Sequence, residues 1–149
     1  MIREITKQDR SVFLQLAKEF YSSDAVLGNI PDSYHDNAFS EAVNSKIYLR
    51  IFIFEYENKT AGYATVSKKF ETESGGFCMW IEDFYIREEF RSKRLGSEFI
   101  NFMDRNFPYA KRLRLEVEQE NTRAINLYKK HGFDNLPYMQ MIKQKKQEN

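Results

Sequence analysis

The stretch Tyr48–Tyr56 constrains this chain more than any other, because its β-branched and aromatic residues suit a pleated surface and predict a strand. Asn58-Lys59 makes a tight connection to a second strand around Thr60–Ser67, so an antiparallel hairpin is expected. Gly75-Gly76 then turns the chain into a third long strand, Phe77–Ile86. Ahead of the hairpin, Val12, Phe13, Leu16, Ala17 and Phe20 recur at helical spacing from Asp9 onward. A loop with Gly28 and Pro31 follows, then a shorter helix carrying Ala38, Phe39, Ala42 and Val43. Beyond the third strand, Leu95, Phe99, Phe102 and Met103 mark a helix ending near Asn106, with Pro108 after it. Arg112–Val117 alternates as a strand, and Ala124, Leu127, Tyr128 and His131 give a last helix closed by Gly132. With a short strand at residues 2–5 and a final one around Tyr138–Ile142, the order is β-α-α-β-β-β-α-β-α-β. Hairpins followed by helical crossovers predict an α/β chain of the α+β kind, one mixed sheet with helices on its faces.

At 149 residues one domain is expected over 1–149, with a charged tail at about 143–149. Lys+Arg 23 against Asp+Glu 22 argues against a nucleic-acid partner, which would call for a basic surplus. The single cysteine, Cys78, excludes an internal disulfide framework and a Cys-rich zinc site, and with only His35 and His131 no metal is expected. The chain starts without an apolar signal-peptide core, and no apolar run approaches the ~20 residues that span a bilayer. A cytoplasmic protein with no membrane partner is the resulting expectation. The aromatic content of 15% implies a well-filled core and a surface for homodimerisation.

Two segments carry the chemistry. The first runs from the third strand into its helix, Ile86-Arg87-Glu88-Glu89-Phe90-Arg91-Ser92-Lys93-Arg94-Leu95-Gly96-Ser97. Orphan N–H groups and the positive end of the dipole make a helix N-terminus receptive to phosphate. Gly96 would let a pyrophosphate approach the backbone, Arg91, Lys93 and Arg94 add positive charge, and the Ser97 hydroxyl can donate. A solvated basic loop over a surface helix would use the same residues. In the second segment, Leu115 to Phe133, Asn121 caps a helix and Tyr128 lies two turns further along the same face. A phenol with a pKa of about 10 keeps its proton at neutral pH and can offer it to a departing thiolate. A cap and a packing tyrosine would look the same.

Taken together, in this order and separation, the segments resemble the GNAT N-acetyltransferase superfamily, whose members move acetyl from acetyl-CoA to an amine. The superfamily's phosphate loop, Arg/Gln-x-x-Gly-x-Gly/Ala, corresponds to Arg91-Ser92-Lys93-Arg94-Leu95-Gly96, with Arg94 where Gly is usual. Its second signature, Asn-x-x-Ala-x-x-x-Tyr-x-x-x-Gly-Phe, is matched at Asn121, Ala124, Tyr128, Gly132 and Phe133. The resemblance implies a GNAT-like acyl-CoA N-acyltransferase fold and acetyl-CoA as co-substrate. It implies a cofactor site of Ile86, Arg91, Ser92, Lys93, Arg94, Leu95, Gly96, Ser97, Asn121 and Tyr128, with Tyr128 protonating the leaving thiolate. Arg94 either clasps a phosphate from outside or crowds the loop.

The acceptor is addressed by Trp80-Ile81-Glu82-Asp83-Phe84-Tyr85-Ile86, where two carboxylates interrupt an apolar strand and therefore need partners or a task. In a regular strand Glu82 and Asp83 point to opposite faces. The resemblance implies a bulge here that splays this strand from the next and admits the pantetheine arm. The Glu-Asp pair is similar to that of the polyamine and thialysine acetyltransferase branch, which implies that Glu82 and Asp83 bind the amine and that Glu82 accepts its proton through water. A structural ion pair with Arg87, Lys111 or Arg114 is the competing reading. An alkylammonium has a pKa of about 10.4 and only the free amine attacks a thioester, so a base is required, and the oxyanion would need a backbone N–H of the splayed strand.

From Glu19 to Ser45 there are five acidic residues, Glu19, Asp24, Asp32, Asp36 and Glu41, and no Lys or Arg. They form either an acidic mouth steering amines inward or a solvated helical face. A buried Cys78 favours direct transfer in a ternary complex over an acyl-enzyme, and the dipole at a helix end accounts for His131. The expected activity is N-acetyl transfer to the primary amine of a small cationic acceptor, polyamine- or lysine-like. Protein N-terminal, lysine or aminoglycoside acetylation are alternatives, and a non-catalytic coenzyme A-binding module is one of another class.

Overall fold

The computed structural model describes residues 1–146, and the end of the expected tail, 147–149, lies outside the described residues. Strand β1 (Ile2–Glu4) leads through a 3-10 turn into α1 (Arg10–Tyr21). The entry is fixed by Asp9, whose carboxylate accepts from the Thr6 N–H and hydroxyl, both at 2.8 Å, and from the fork of Arg3. Helix α2 (Asp32–Asn44) is not the shorter one: it has 13 residues to the 12 of α1, because Pro31 starts it before its apolar positions begin.

Strands β2 (Leu49–Tyr56) and β3 (Lys59–Glu71) form the hairpin, with Glu57 and Asn58 both at positive φ as a two-residue turn of this hand requires. Strand β3 continues past Ser67 to Glu71, since Lys68 and Lys69 pair with Met79 and Cys78 rather than turning. Their charged ends lie over the Phe77 and Trp80 rings, which lets lysines occupy a ladder.

Next come β4 (Gly76–Ile86), α3 (Leu95–Asn106), β5 (Arg112–Leu115) and α4 (Thr122–Lys130). Gly132, at φ +85, ends α4 in a Schellman arrangement: its N–H donates to the Lys129 carbonyl and that of Phe133 to the Tyr128 carbonyl. The sheet has the order β1-β2-β3-β4-β5, antiparallel except for β4 beside β5.

Both sheet faces are covered. Ile51, Ile53 and Tyr63 pack under Phe13, Leu16, Phe20 and Phe39 of α1 and α2, while Phe52, Phe54, Met79 and Ile81 pack under Leu95, Phe99 and Met103 of α3. Each such side chain contributes about 1.5–3 kcal/mol by leaving water.

The final strand around Tyr138–Ile142 does not form. Residues 133–146 have no regular structure, and Tyr138, Met139, Met141 and Ile142 are exposed. Alternating apolar residues are a local signal, whereas a strand exists only when a second backbone satisfies its N–H and C=O groups. Here the recorded tie is the Tyr138 hydroxyl to Glu73 at 3.5 Å.

Candidate active site

The site opens where two strands part. Strands β4 and β5 pair from Cys78↔Arg112 to Ile81↔Leu115 and no further, so β5 stops at Leu115 instead of running to Val117. On the other side, β4 pairs Ile81 with Val66 and Asp83 with Thr65, which leaves Glu82 as an extra, bulged residue. The bulge reverses the alternation. Met79 and Ile81 belong to the α3 face before it, and Phe84 and Ile86 after it. Glu82 and Asp83 are thereby delivered to one cavity, which a regular strand could not do. Its volume is about 720 Å³, and it is lined by Ile81–Phe84, the segment Leu115–Asn121, Phe20, Tyr21, the residues Ala25–Leu27 and Tyr128.

Neither carboxylate makes an ion pair among the described residues, although His35 lies near enough to exert a lowering influence on Asp83. Arg87 donates to Glu19 at 2.9 and 2.8 Å, and Arg114 and Arg112 donate to Glu71 at 2.7 and 2.9 Å, so the ion pairs open to the Glu82-Asp83 dipeptide are made elsewhere. Lys111 makes no ion pair with either acid among the described residues; its side chain lies against Gly76. Asp83 is held by neutral donors instead, the Tyr21 hydroxyl at 2.8 Å and the Tyr63 hydroxyl at 3.3 Å, while its own N–H donates to Thr65 Oγ1. Glu82 accepts from Ser67 Oγ at 2.6 Å. Burial pushes both carboxyls above their ordinary range, against the lowering effect of these hydroxyls. Glu82 lines the cavity and is exposed, and neighbouring Asp83 and Glu116 push it further up.

The acidic mouth is not where Glu19–Ser45 would put it. Glu19 is paired with Arg87, Asp32 with Lys18 and Asp36 with Arg10, and Glu41 accepts from Ser45. From this part of the chain the cavity receives Phe20, Tyr21, Ala25, Val26 and Leu27, none of them acidic. Its negative charge comes from Glu82 and Asp83 together with Glu116, Glu118 and Glu120. Among the described residues no Lys, Arg or His lines it.

At the other wall, Asn121 Oδ1 accepts from the Ala124 N–H at 3.2 Å, the expected cap of α4. Tyr128 is packed between Phe84 and Phe133, is 8% exposed and lines the cavity, with no hydrogen-bond partner among the described residues and a hydroxyl that is not fully enclosed. Burial raises its pKa well above that of a free phenol.

The loop before α3 curls in a way no residue pattern announced. Ser92 and Arg94 both sit at positive φ, 63 and 65, alternating with Lys93 and Leu95. That alternation turns successive N–H groups inward as an anion-binding concavity at a helix N-terminus. Arg94 takes the left-handed conformation that glycine adopts without strain, at about 1 kcal/mol or more for a side-chain-bearing residue. Its charged end is exposed. Arg91 Nε donates to the Ile86 carbonyl at 3.1 Å, and Lys93 lies 5.9 Å from the Tyr56 ring centroid.

Two expectations about this loop change. A Cβ on Gly96 would meet Leu127 Cδ2 at 2.7 Å and Phe84 Cζ at 3.5 Å, so packing of α3 on α4 and β4 accounts for this glycine. Ser97 Oγ lies 2.9 Å from His131 Nε2, which ties His131 to the loop beyond any interaction with its helix dipole. A second residue missed in the sequence is Arg123, which donates to Ser92 Oγ at 3.0 Å. It reads as a solvent-facing residue of α4, and only the packing of α4 against the loop brings it there.

The comparisons agree with this geometry. The model of the acetyltransferase (GNAT) family matches residues 13–133. Among solved structures, AAC(6')-Iy in complex with the bisubstrate analogue CoA-S-monomethyl-acetylneamine superposes with a TM-score of 0.80 at 17% identity, covering 97% of each chain. A predicted acetyltransferase with acetyl-CoA from Clostridium acetobutylicum gives 0.79 at 16% identity, over 96% of this chain and 95% of that one. A ribosomal-protein-alanine N-acetyltransferase from Brucella melitensis gives 0.74 at 12%, over 97% and 99%. At these identities the likeness concerns the fold. No curated protein matches the sequence.

Proposed function

The chain belongs to the acetyltransferase (GNAT) family, and from that premise we propose that it transfers acetyl from acetyl-CoA directly to the primary amine of a small cationic acceptor, polyamine- or lysine-like. The observation that carries this reading is the wedge between β4 and β5, with a buried phenol on one wall and carboxylates without cations on the other. Bound acetyl-CoA supplies the thioester. In this reading the curled backbone of Arg91–Ser97 receives its pyrophosphate, aided by Arg91, Lys93, Arg94 and Arg123. Ile86, Ser92, Leu95 and Asn121 shape the approach.

Glu82 and Asp83 attract the ammonium form, and Glu82, open to the cavity, passes its proton to water. Tyr128 hydrogen-bonds the leaving sulfur. Its raised pKa keeps the proton on the phenol across the working range, but full transfer to a thiolate of lower pKa is uphill, so the bond strengthens as charge develops on sulfur, and a proton shed by the amine to water then converts the thiolate to the thiol. Exposed Leu136, Tyr138, Met139, Met141 and Ile142 supply the surface on which a homodimer forms, and light scattering at micromolar concentration checks it.

Calorimetry with acetyl-CoA, combined with thiol release over an amine panel, tests the reading. Binding with amine-dependent thiol release is expected. Binding without release from any amine would leave a coenzyme A-binding module, and release only with aminoglycosides or peptides would replace the acceptor.

A further inference from the structure

From the charge inside the cavity we infer that Glu118 and Glu120 are specificity-determining residues, which read a second ammonium on the acceptor, remote from the one that is acetylated. This deepens the transferase reading and rests on it for which end of the cavity reacts. The cavity presents five carboxylates, Glu82, Asp83, Glu116, Glu118 and Glu120, without a basic side chain in its lining. None of the five takes part in an ion pair among the described residues. Like charges gathered on one concave surface raise the free energy of the empty protein, and a bound cation relieves it.

A second observation marks where chemistry sits relative to that charge. Tyr128, more than nine-tenths buried and without a hydrogen-bond partner among the described residues, lines the same cavity, and its hydroxyl is not fully enclosed by protein. Glu82 and Asp83 lie on β4 at the point where the strands part, and Glu116 is close enough to push the Glu82 carboxyl up. Beyond Glu116 the chain leaves the sheet and carries Glu118 and Glu120 away from β4 toward the cap of α4 at Asn121. The carboxylates are therefore spread along a wall. No three of them converge as metal ligands among the described residues, which suits separated organic cations rather than one ion.

The reacting amine and the second charge would then occupy different stations, the first at Glu82 and Asp83, the second along Glu118–Glu120. An acceptor with one amino group fills the first station and leaves the second unmet. A linear diamine or longer polyamine fills both.

The test titrates α,ω-diamines of three to eight carbons into the protein by calorimetry, with and without coenzyme A, each against the monoamine in which a methyl replaces the far amino group. At least one diamine is expected to bind about ten-fold more tightly than its monoamine, and the preference shrinks between low and high salt. Glu118→Gln with Glu120→Gln should bring that ratio to about three-fold or less. Equal binding of diamines and monoamines across the series overturns the inference without any variant, and so does a ratio that survives the double substitution in a protein of unchanged melting temperature. A diamine preference that persists while no amine releases thiol from acetyl-CoA keeps the second station and defeats the transferase reading instead.

Discussion

The two ends of the β3-β4 pair treat carboxylates in opposite ways. At the closed end, where β5 lies alongside, Glu71 is 6% exposed and grips two guanidiniums, Arg112 and Arg114. At the open end, beyond Ile81, Glu82 and Asp83 hold only hydroxyl groups. Their titration follows the partners: Arg114 and Arg112 hold Glu71 below the ordinary carboxylate range, while burial holds Glu82 and Asp83 above it. Within one pair of strands, charge is neutralised on β3 beside the start of β4 and left in want of a cation on β4 where the sheet divides.

The contrast can be broken from either end. The largest effect is expected at the open end: Tyr128→Phe should lower turnover by about 10²-fold with little change in coenzyme affinity, measured by steady-state kinetics beside calorimetry. Unchanged turnover would remove this phenol from the step. Glu82→Gln should cost about ten-fold near neutral pH and progressively less as the pH approaches that of the free amine, so a mutant-to-wild-type ratio flat in pH would exclude the proton relay.

Stability separates the ends by sign. Glu71 has a lowered folded-state pKa, so its stabilising effect is present above the unfolded value and is lost as the pH falls through the folded one. Glu71→Gln should therefore cost about 1–2 kcal/mol at pH 7, discounted because both arginines reach solvent, and progressively less in acid. Glu82 has a raised pKa, so its charged form opposes folding above the unfolded value. In urea melts Glu82→Gln should gain a few tenths of a kcal/mol at pH 7–8 and nothing near pH 4. A loss at neutral pH would mean that the bulge needs the carboxylate. The smallest effect is expected at the loop, where His131→Ala frees Ser97 and should weaken coenzyme binding about two- to five-fold.

Much of this fold was legible in the residues. Helical spacing located α1, α3 and α4 closely, and the β-branched run located the hairpin, although its turn falls on Glu57-Asn58, one residue before the expected Asn58-Lys59, because Lys59 already pairs with Tyr56. Asn121, Tyr128 and Gly132 stand in the structure as cap, inward phenol and helix end. What could not be read was charge pairing. The acids between Glu19 and Ser45 have no basic residue among them, but Lys18, Arg10 and Arg87 reach three of them across the fold. The acids that do face the cavity were visible as Glu116-Val117-Glu118-Gln119-Glu120, an alternation with no cation inside it, and were masked by lying within a signature read for its Asn and Tyr. The expected strand at Tyr138–Ile142 shows the same limit, because pairing depends on a second backbone.

The bulge at Glu82 also has a consequence for inheritance. Deleting that residue would restore a regular ladder, with Ile81 opposite Val66 followed by Asp83 opposite Thr65, so Phe84 and Ile86 would keep the α3 face and Asp83 and Tyr85 the opposite one. Position 82 therefore works as an insertion that the ladder absorbs: without it the two faces of the core would keep their residues, and the cavity would lose one of its two adjacent carboxylates.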